Sequence, residues 1–258
     1  MSTLKDSRMH PSPVCFQEAK PNYAGPEPRD PSGQGKKPIS NEPIFKSIPI
    51  GVLILIGCMV IVHIGLQLAG PNVTLRTIES LGVIPNEIAI DLDKGDRSDV
   101  MLRLIGHQFL HGGTLHLVMN MAMLLQAGPI AEDGLHRNRY GVFAFLLFFL
   151  LCGIGGGLAF IWLNPGSIYP TIGASGAISG VFAGFLWSAI TKARPNQAMF
   201  KPVVTSGLFF LIINVGLAAL ARGLDIAAIA WESHLGGFVS GFIVYPIFLS
   251  VIKHRPKF

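Results

Sequence analysis

The sequence predicts an all-α membrane protein built as a bundle of six transmembrane helices. Half of its 258 residues are hydrophobic and only 14% are charged, whereas an average soluble domain contains about 25% charged residues. Five long stretches contain no Asp, Glu, Lys or Arg at all: 47–75, 104–131, 140–191, 202–221 and 233–252. Because a spanning helix needs about 20 such residues, these observations indicate a polytopic membrane protein.

The third uncharged stretch is too long for one helix. Its middle contains the run Asn164-Pro165-Gly166-Ser167, followed closely by Pro170. Proline and glycine in this arrangement end helices and form turns, so the stretch divides into two spans. The six spans are therefore expected near 48–69, 113–131, 140–163, 171–191, 202–221 and 230–252.

Residues 1–46 form a segment of different composition. They contain eight of the 18 prolines and twelve charged residues, and they lack the apolar core of a secretory signal. Since so few apolar side chains cannot build a core, we expect a disordered polar tail. The membrane domain is then residues 47–258.

The distribution of basic residues predicts the orientation. If the tail is cytoplasmic, 15 of the 20 Lys and Arg residues lie on the cytoplasmic side. The positive-inside rule then places both termini in the cytoplasm, and we expect the plasma membrane as the location. The basic residues form no run interleaved with aromatic residues, so a nucleic-acid partner is not expected. Segment 71–103 lies outside in this topology and is expected to be a structured, partly interfacial loop.

Polar residues within spans are costly, and they are therefore candidates for function. Here they cluster where the even-numbered spans begin. The second span opens with His107, His111, His116 and Asn120, the fourth with the motif that contains Ser175, and the sixth with His234. In the predicted topology all three spans begin at the outer face, so these side chains are expected at a similar depth.

The residue types in this layer suit hydrolysis of a peptide bond. Such a reaction needs a nucleophile, a base that takes its proton, and hydrogen-bond donors for the oxyanion. Ser175 and His234 supply the first pair. His116 and Asn120 are four residues apart, hence on one helical face, and both side chains can donate hydrogen bonds. The backbone N–H of Ser175, at a helix start, is a further candidate donor.

Glycines spaced four residues apart predict close contact between the fourth and sixth spans. Small residues at this spacing let two helix backbones approach. The fourth span carries Gly176, Gly180 and Gly184, after the motif that begins at Gly173. The sixth span carries Gly237 and Gly241, after His234. We expect this packing to set the distance between Ser175 and His234.

Taken together, the motifs resemble the rhomboid family of intramembrane serine proteases. The match covers about 48–252 and consists, in order, of His111-x4-His116-x3-Asn120, Gly173-Ala174-Ser175-Gly176 and His234-x2-Gly237-x3-Gly241. The resemblance implies a Ser175–His234 dyad without an acidic third member and an oxyanion site at His116 and Asn120. It also implies transmembrane-protein substrates, with a small residue before the cut and a segment that unwinds readily, and no cofactor.

Other positions partly follow the family pattern. Glu132 resembles a structural acid in the connection between the second and third spans. Arg103 resembles the arginine of a Trp-Arg pair in the first loop, although Leu102 replaces the tryptophan. Some members place an aromatic residue one turn after the serine, where this chain has Ser179.

Other functions fit the sequence less well. His107 and His111 have the spacing of a metal pair, but no acidic or cysteine ligand accompanies them, so no metal is expected. A transporter would carry ion-pairing residues or broken helices in matching halves, and the halves show no such pairing. A catalytically inactive rhomboid relative that escorts membrane proteins would lack dyad residues, whereas this chain has both. The sequence does not indicate an oligomeric state.

Overall fold

The computed structural model describes residues 48–135, 140–192, 200–223 and 230–253. The predicted tail over 1–46 lies outside these residues and remains a prediction. Within the described part, the chain forms nine α-helices and a short 3-10 helix at His107–Phe109. The α-helices are α1 Ile50–Ala69, α2 Pro71–Leu81, α3 Pro85–Asp93, α4 Arg97–Gly106, α5 Thr114–Leu135, α6 Gly141–Leu163, α7 Ser175–Lys192, α8 Phe200–Gly223 and α9 Trp231–Lys253.

Four of the described helices, α1, α5, α6 and α9, are long and apolar enough to cross a membrane. Two further apolar stretches, Ser175–Thr191 in α7 and Val204–Asn214 in α8, are shorter. The chain is thus an all-α integral membrane protein, as predicted. The count of six spans remains a prediction.

Helices α6, α7 and α9 form the centre of the bundle. Helix α9 packs along both α6 and α7, α5 packs against α7, and α1 packs against α5. The centre is filled by aromatic side chains that are fully buried, namely Phe145, Phe148 and Phe149 of α6 and Tyr245 of α9. This arrangement places the first residues of α7 and α9 beside each other.

The loop between the first two spans is folded, in agreement with the prediction for segment 71–103. It contains α2, α3 and α4, and a buried ion pair joins them. Arg103 Nε lies 3.1 Å from Asp91 Oδ2, and the Arg103 Nη1 group donates to the carbonyl oxygens of Glu79 and Gly82 at 2.6 and 3.2 Å. One guanidinium therefore links the end of α2 to α3 and α4.

Glu132 lies within α5, which ends at Leu135, about one turn beyond the predicted end of the second span at residue 131. Its side chain is fully buried, and its two carboxylate oxygens accept the backbone N–H groups of Gly51 and Val52 at 3.0 and 2.9 Å. These N–H groups open α1 and have no partner within that helix. A carboxylate at a helix amino terminus is stabilised by the helix dipole. The carboxylate is tolerated within α5 because backbone N–H groups of α1 donate hydrogen bonds to it.

The fourth span begins later than residue 171. Thr171 instead pairs with Val83 in an isolated antiparallel bridge, and the Gly173 N–H donates to the carbonyl of His107 at 2.8 Å. These backbone groups are held by the preceding loop and are not available to a helix, so α7 begins at Ser175. The second span also begins later than its first histidines: His107 lies in the 3-10 helix, His111 follows the extended Leu110, and α5 begins only at Thr114.

Candidate active site

Ser175 is the first residue of α7, and the chain turns sharply just before it. Gly173 has a φ of 120°, a conformation that side chains strongly disfavour and glycine adopts freely. As the first helical residue, Ser175 has a backbone N–H with no acceptor within the helix. The hydroxyl and this N–H therefore lie at the same end of α7, where Ser175 is half-buried.

His234 is the fourth residue of α9 and lies directly against this serine. Its Nε2 atom is 2.7 Å from the Ser175 Oγ, although 58 residues separate the two positions in the chain. This is the normal length of a hydrogen bond between a hydroxyl and an imidazole nitrogen. Ser175 and His234, which the sequence predicts to act as a pair, are thus in contact.

The predicted glycine stripes form the contact between α7 and α9. A Cβ atom added at Gly237 would overlap the carbonyl oxygen of Gly176 and lie 3.1 Å from its Cα. One turn further, a Cβ at Gly241 would lie 2.7 Å from the carbonyl carbon of Gly180. The backbones therefore touch without intervening side chains, immediately beyond the Ser175–His234 hydrogen bond.

His116 lies over the turn that precedes Ser175. A Cβ atom at Gly173 would lie 2.7 Å from His116 Cε1 and 2.9 Å from His116 Nε2. The Nδ1 atom of His116 is 3.4 Å from the backbone N–H of Gly112, which donates to it. Since that nitrogen accepts, the proton of the neutral ring is on Nε2, on the side of the ring that faces the turn.

Asn120 is buried one turn after His116. Its Nδ2 donates to the carbonyl oxygen of His116 at 2.8 Å, which uses one of the two N–H bonds of the amide. Its Oδ1 is buried without a hydrogen-bond partner within the described part of the chain. A buried amide with unused capacity is costly, and such groups commonly mark a place where a ligand or water binds.

Asn214, which was not among the site residues predicted from the sequence, contacts the same histidine. This residue lies on α8, and its Oδ1 is 2.6 Å from the Nδ1 of His234. An asparagine within the predicted fifth span is a polar residue in an apolar segment, which is a signal that the sequence alone provides. Asn214 lies in the middle of this predicted span, away from the three motifs that open the even-numbered spans.

His111 lies beside His116, with ring centroids 5.2 Å apart. Both of its ring nitrogens are buried without a hydrogen-bond partner in the described residues. Burial, together with the neighbouring His116, lowers the pKa of His111 to about 4. The ring is therefore neutral near pH 7 and adds no positive charge next to His116.

A cavity of about 360 Å³ opens between α5, α7 and α8. Ser179, one turn after Ser175, and Phe182 line the α7 side of the cavity. The Ser179 hydroxyl donates to the Ser175 carbonyl at 2.8 Å. Gln126 of α5 and Phe210 of α8 also line it. Because the Ser179 side chain is small, it leaves space at this end of the cavity.

Fold and site together define a helical integral membrane protein in which a serine and a histidine from two packed helices share a hydrogen bond. Residues 98–251 match the family model described as the Rhomboid domain. The chain belongs to the rhomboid family.

Individual relatives agree with this membership. Over 195 residues, 75% of this chain, it is 29% identical to the rhomboid protease GluP of Bacillus subtilis (strain 168). It is 32% identical over 69% of its length to RHOMBOID-like protein 4 of Arabidopsis thaliana, and 26% identical over 60% to Rhomboid-like protease 3 of Toxoplasma gondii. These alignments cover 34%, 39% and 54% of the respective relatives. The chain thus spans about a third to a half of the length of these proteins.

Proposed function

We propose that this protein is an intramembrane serine endopeptidase that hydrolyses a peptide bond in or near the transmembrane helix of membrane-protein substrates. The observation that carries the proposal is the 2.7 Å hydrogen bond between Ser175 Oγ and His234 Nε2. Two of the three relatives named above are called proteases. The proposed chemistry uses only side chains and backbone groups of the protein, with no cofactor.

In the proposed reaction, His234 Nε2 takes the Ser175 hydroxyl proton as Oγ attacks the carbonyl carbon of the substrate. The new Oγ–C bond moves one electron pair of the carbonyl onto its oxygen. When this intermediate collapses, the C–N bond breaks and His234 returns the proton to the leaving amine. A water molecule, deprotonated by the same nitrogen, then attacks the ester carbonyl; the Oγ–C bond breaks, the carboxylic acid leaves, and His234 returns the proton to Ser175 Oγ.

The oxyanion formed in this reaction needs donors near Ser175. We propose three: the Nε2–H of His116, the unused N–H of Asn120 and the backbone N–H of Ser175. The first is supported by the contact of the His116 ring with Gly173, two residues before the serine. Donors of this kind are already oriented before the reaction, so they stabilise the charge without a reorganisation cost.

Two other functions are alternatives, a transporter and an inactive rhomboid-like escort of membrane proteins. Covalent labelling of Ser175 distinguishes a protease from a transporter and from an inactive escort. A fluorophosphonate should phosphonylate purified wild-type protein at Ser175, as mapped by peptide mass spectrometry, and His234→Ala should remove this labelling. A transporter or an escort would leave Ser175 unmodified in folded wild-type protein, and that result would overturn the proposal.

We further propose that the protein lies in the plasma membrane with both termini in the cytoplasm, which puts Ser175 and His234 near the outer face. In a cysteine-free variant, a single cysteine at position 94 or 167 should then react with an impermeant maleimide added to intact cells. A cysteine at position 196 should react only after the membrane is opened. The reverse pattern would contradict this orientation.

A further inference from the structure

Asn214 of α8 holds the imidazole of His234 from the side opposite Ser175. The two ring nitrogens of His234 have different partners, Ser175 Oγ at Nε2 and Asn214 Oδ1 at Nδ1, at 2.7 and 2.6 Å. Three residues from three different helices are therefore connected in one hydrogen-bonded line. We infer that Asn214 is a positioning residue, which fixes the orientation and the tautomer of His234; the inference rests on the proposed function.

The orientation of the Asn214 amide is set by its second contact. Its Nδ2 donates to the backbone carbonyl of Phe210 at 2.8 Å. A carbonyl oxygen only accepts, so the amide nitrogen lies on that side and the amide oxygen faces the histidine. Since this oxygen is also only an acceptor, the Nδ1 atom of His234 must carry a proton.

This tautomer is the one that the proposed reaction requires. A neutral imidazole carries one proton, so a proton on Nδ1 leaves Nε2 with a free lone pair that faces the Ser175 hydroxyl. After Nε2 has taken the serine proton, the cation still donates from Nδ1 to the same amide oxygen. Hydrogen bonds to a charged group are stronger than those to a neutral one, so the contact strengthens as the charge forms.

A neutral amide suits this position in an apolar environment. A carboxylate would hold the same tautomer, but an unpaired charge within a membrane span is costly. The amide supplies an acceptor oxygen without that cost. Serine and cysteine proteases on other folds use either a carboxylate or an asparagine to orient the histidine, so both types of residue are competent for this role.

The aromatic packing of α8 keeps Asn214 in place. Phe210 lies four residues earlier, hence on the same face of the helix. Its ring stacks on Phe182 of α7 and Phe238 of α9, at centroid distances of 5.0 and 5.2 Å. The contact with His234 therefore depends on α8 being packed against both of the helices that carry the serine and the histidine.

The experiment compares fluorophosphonate labelling of purified wild-type protein with that of Asn214→Leu, a variant of similar volume that removes the acceptor. We expect its maximal labelling rate to fall about 10- to 100-fold, since general-base assistance as a whole contributes about 10² to 10⁴. The half-saturating concentration of the probe should stay unchanged. Asn214→Asp, which keeps an acceptor oxygen, should restore most of the rate. Ile213→Ala is the matched control, because its side chain is 49% exposed on the same helix.

A second measurement does not depend on activity. In ¹⁵N NMR spectra of protein labelled at histidine, His234 should be protonated at Nδ1 in the wild type and should gain an Nε2-protonated fraction in Asn214→Leu. Asn214→Ala, which adds no bulk, serves in both measurements if the leucine variant does not fold. Wild-type rate and wild-type tautomer in the leucine or alanine variant would overturn the role of Asn214 and leave the proposed function intact. Absence of labelling in the wild type would overturn the proposed function itself.

Discussion

Replacing either Ser175 or His234 with alanine should reduce cleavage by about four orders of magnitude or more, the scale of loss found for members of other serine–histidine units. The expected effect is large because the two residues act as a unit. Without His234 the serine has no base, and without Ser175 the histidine has no nucleophile to deprotonate. The double variant should therefore be no slower than either single variant. The measurement is cleavage of a single-span test protein, with small residues at the outer end of its span, in detergent and in liposomes.

Asn120→Ala provides a graded comparison in the same assay. Loss of one oxyanion donor typically costs about 10² to 10³ in turnover, so this variant should be slow but measurable. All variants must elute from size exclusion as the folded wild type does. Cleavage by Ser175→Ala at the wild-type rate would show that the nucleophile is another residue. Unchanged turnover in Asn120→Ala would remove that residue from the site.

Gly237→Leu should reduce the rates of cleavage and of fluorophosphonate labelling at Ser175 by a factor on the order of 10² or more. A Cβ atom at this position overlaps the carbonyl oxygen of Gly176, and a backbone cannot move aside as the end of a flexible side chain can. Helices α7 and α9 must then separate next to the 2.7 Å contact between Ser175 and His234. A displacement of about 1 Å is sufficient for a loss of about 10² in rate.

The clash begins at Cβ, so Gly237→Ala should also be impaired, although a methyl group forces a smaller separation than a leucine. Gly65→Leu is the matched control, because a Cβ at that glycine of α1 meets no atom within 4 Å. It should keep the wild-type labelling rate. Wild-type labelling in Gly237→Leu would show that the contact between α7 and α9 does not determine the distance between the two residues.

Much of this site could be predicted because its signals are local. Long stretches without charge indicate spans, since an unpaired charge in the bilayer is costly whatever the fold. Ser175 and His234 stand out for the same reason, as polar residues in apolar helices. Glycines repeated every four residues indicate a helix contact face by their spacing alone. The pairing of the fourth and sixth spans followed from these signals, and α7 and α9 do pack along this face.

The amino-acid sequence was sufficient to predict an all-α membrane bundle and the pairing of Ser175 with His234. The start of α7, the partner of Glu132 and the contact of Asn214 with His234 depend on the tertiary structure. Each depends on a group far away in the chain: Val83 and His107 hold the turn before α7, α1 supplies the donors for Glu132, and α8 brings Asn214 to α9. Helix periodicity encodes which face of a helix is apolar, but not which distant hydrogen-bond partner that face will meet.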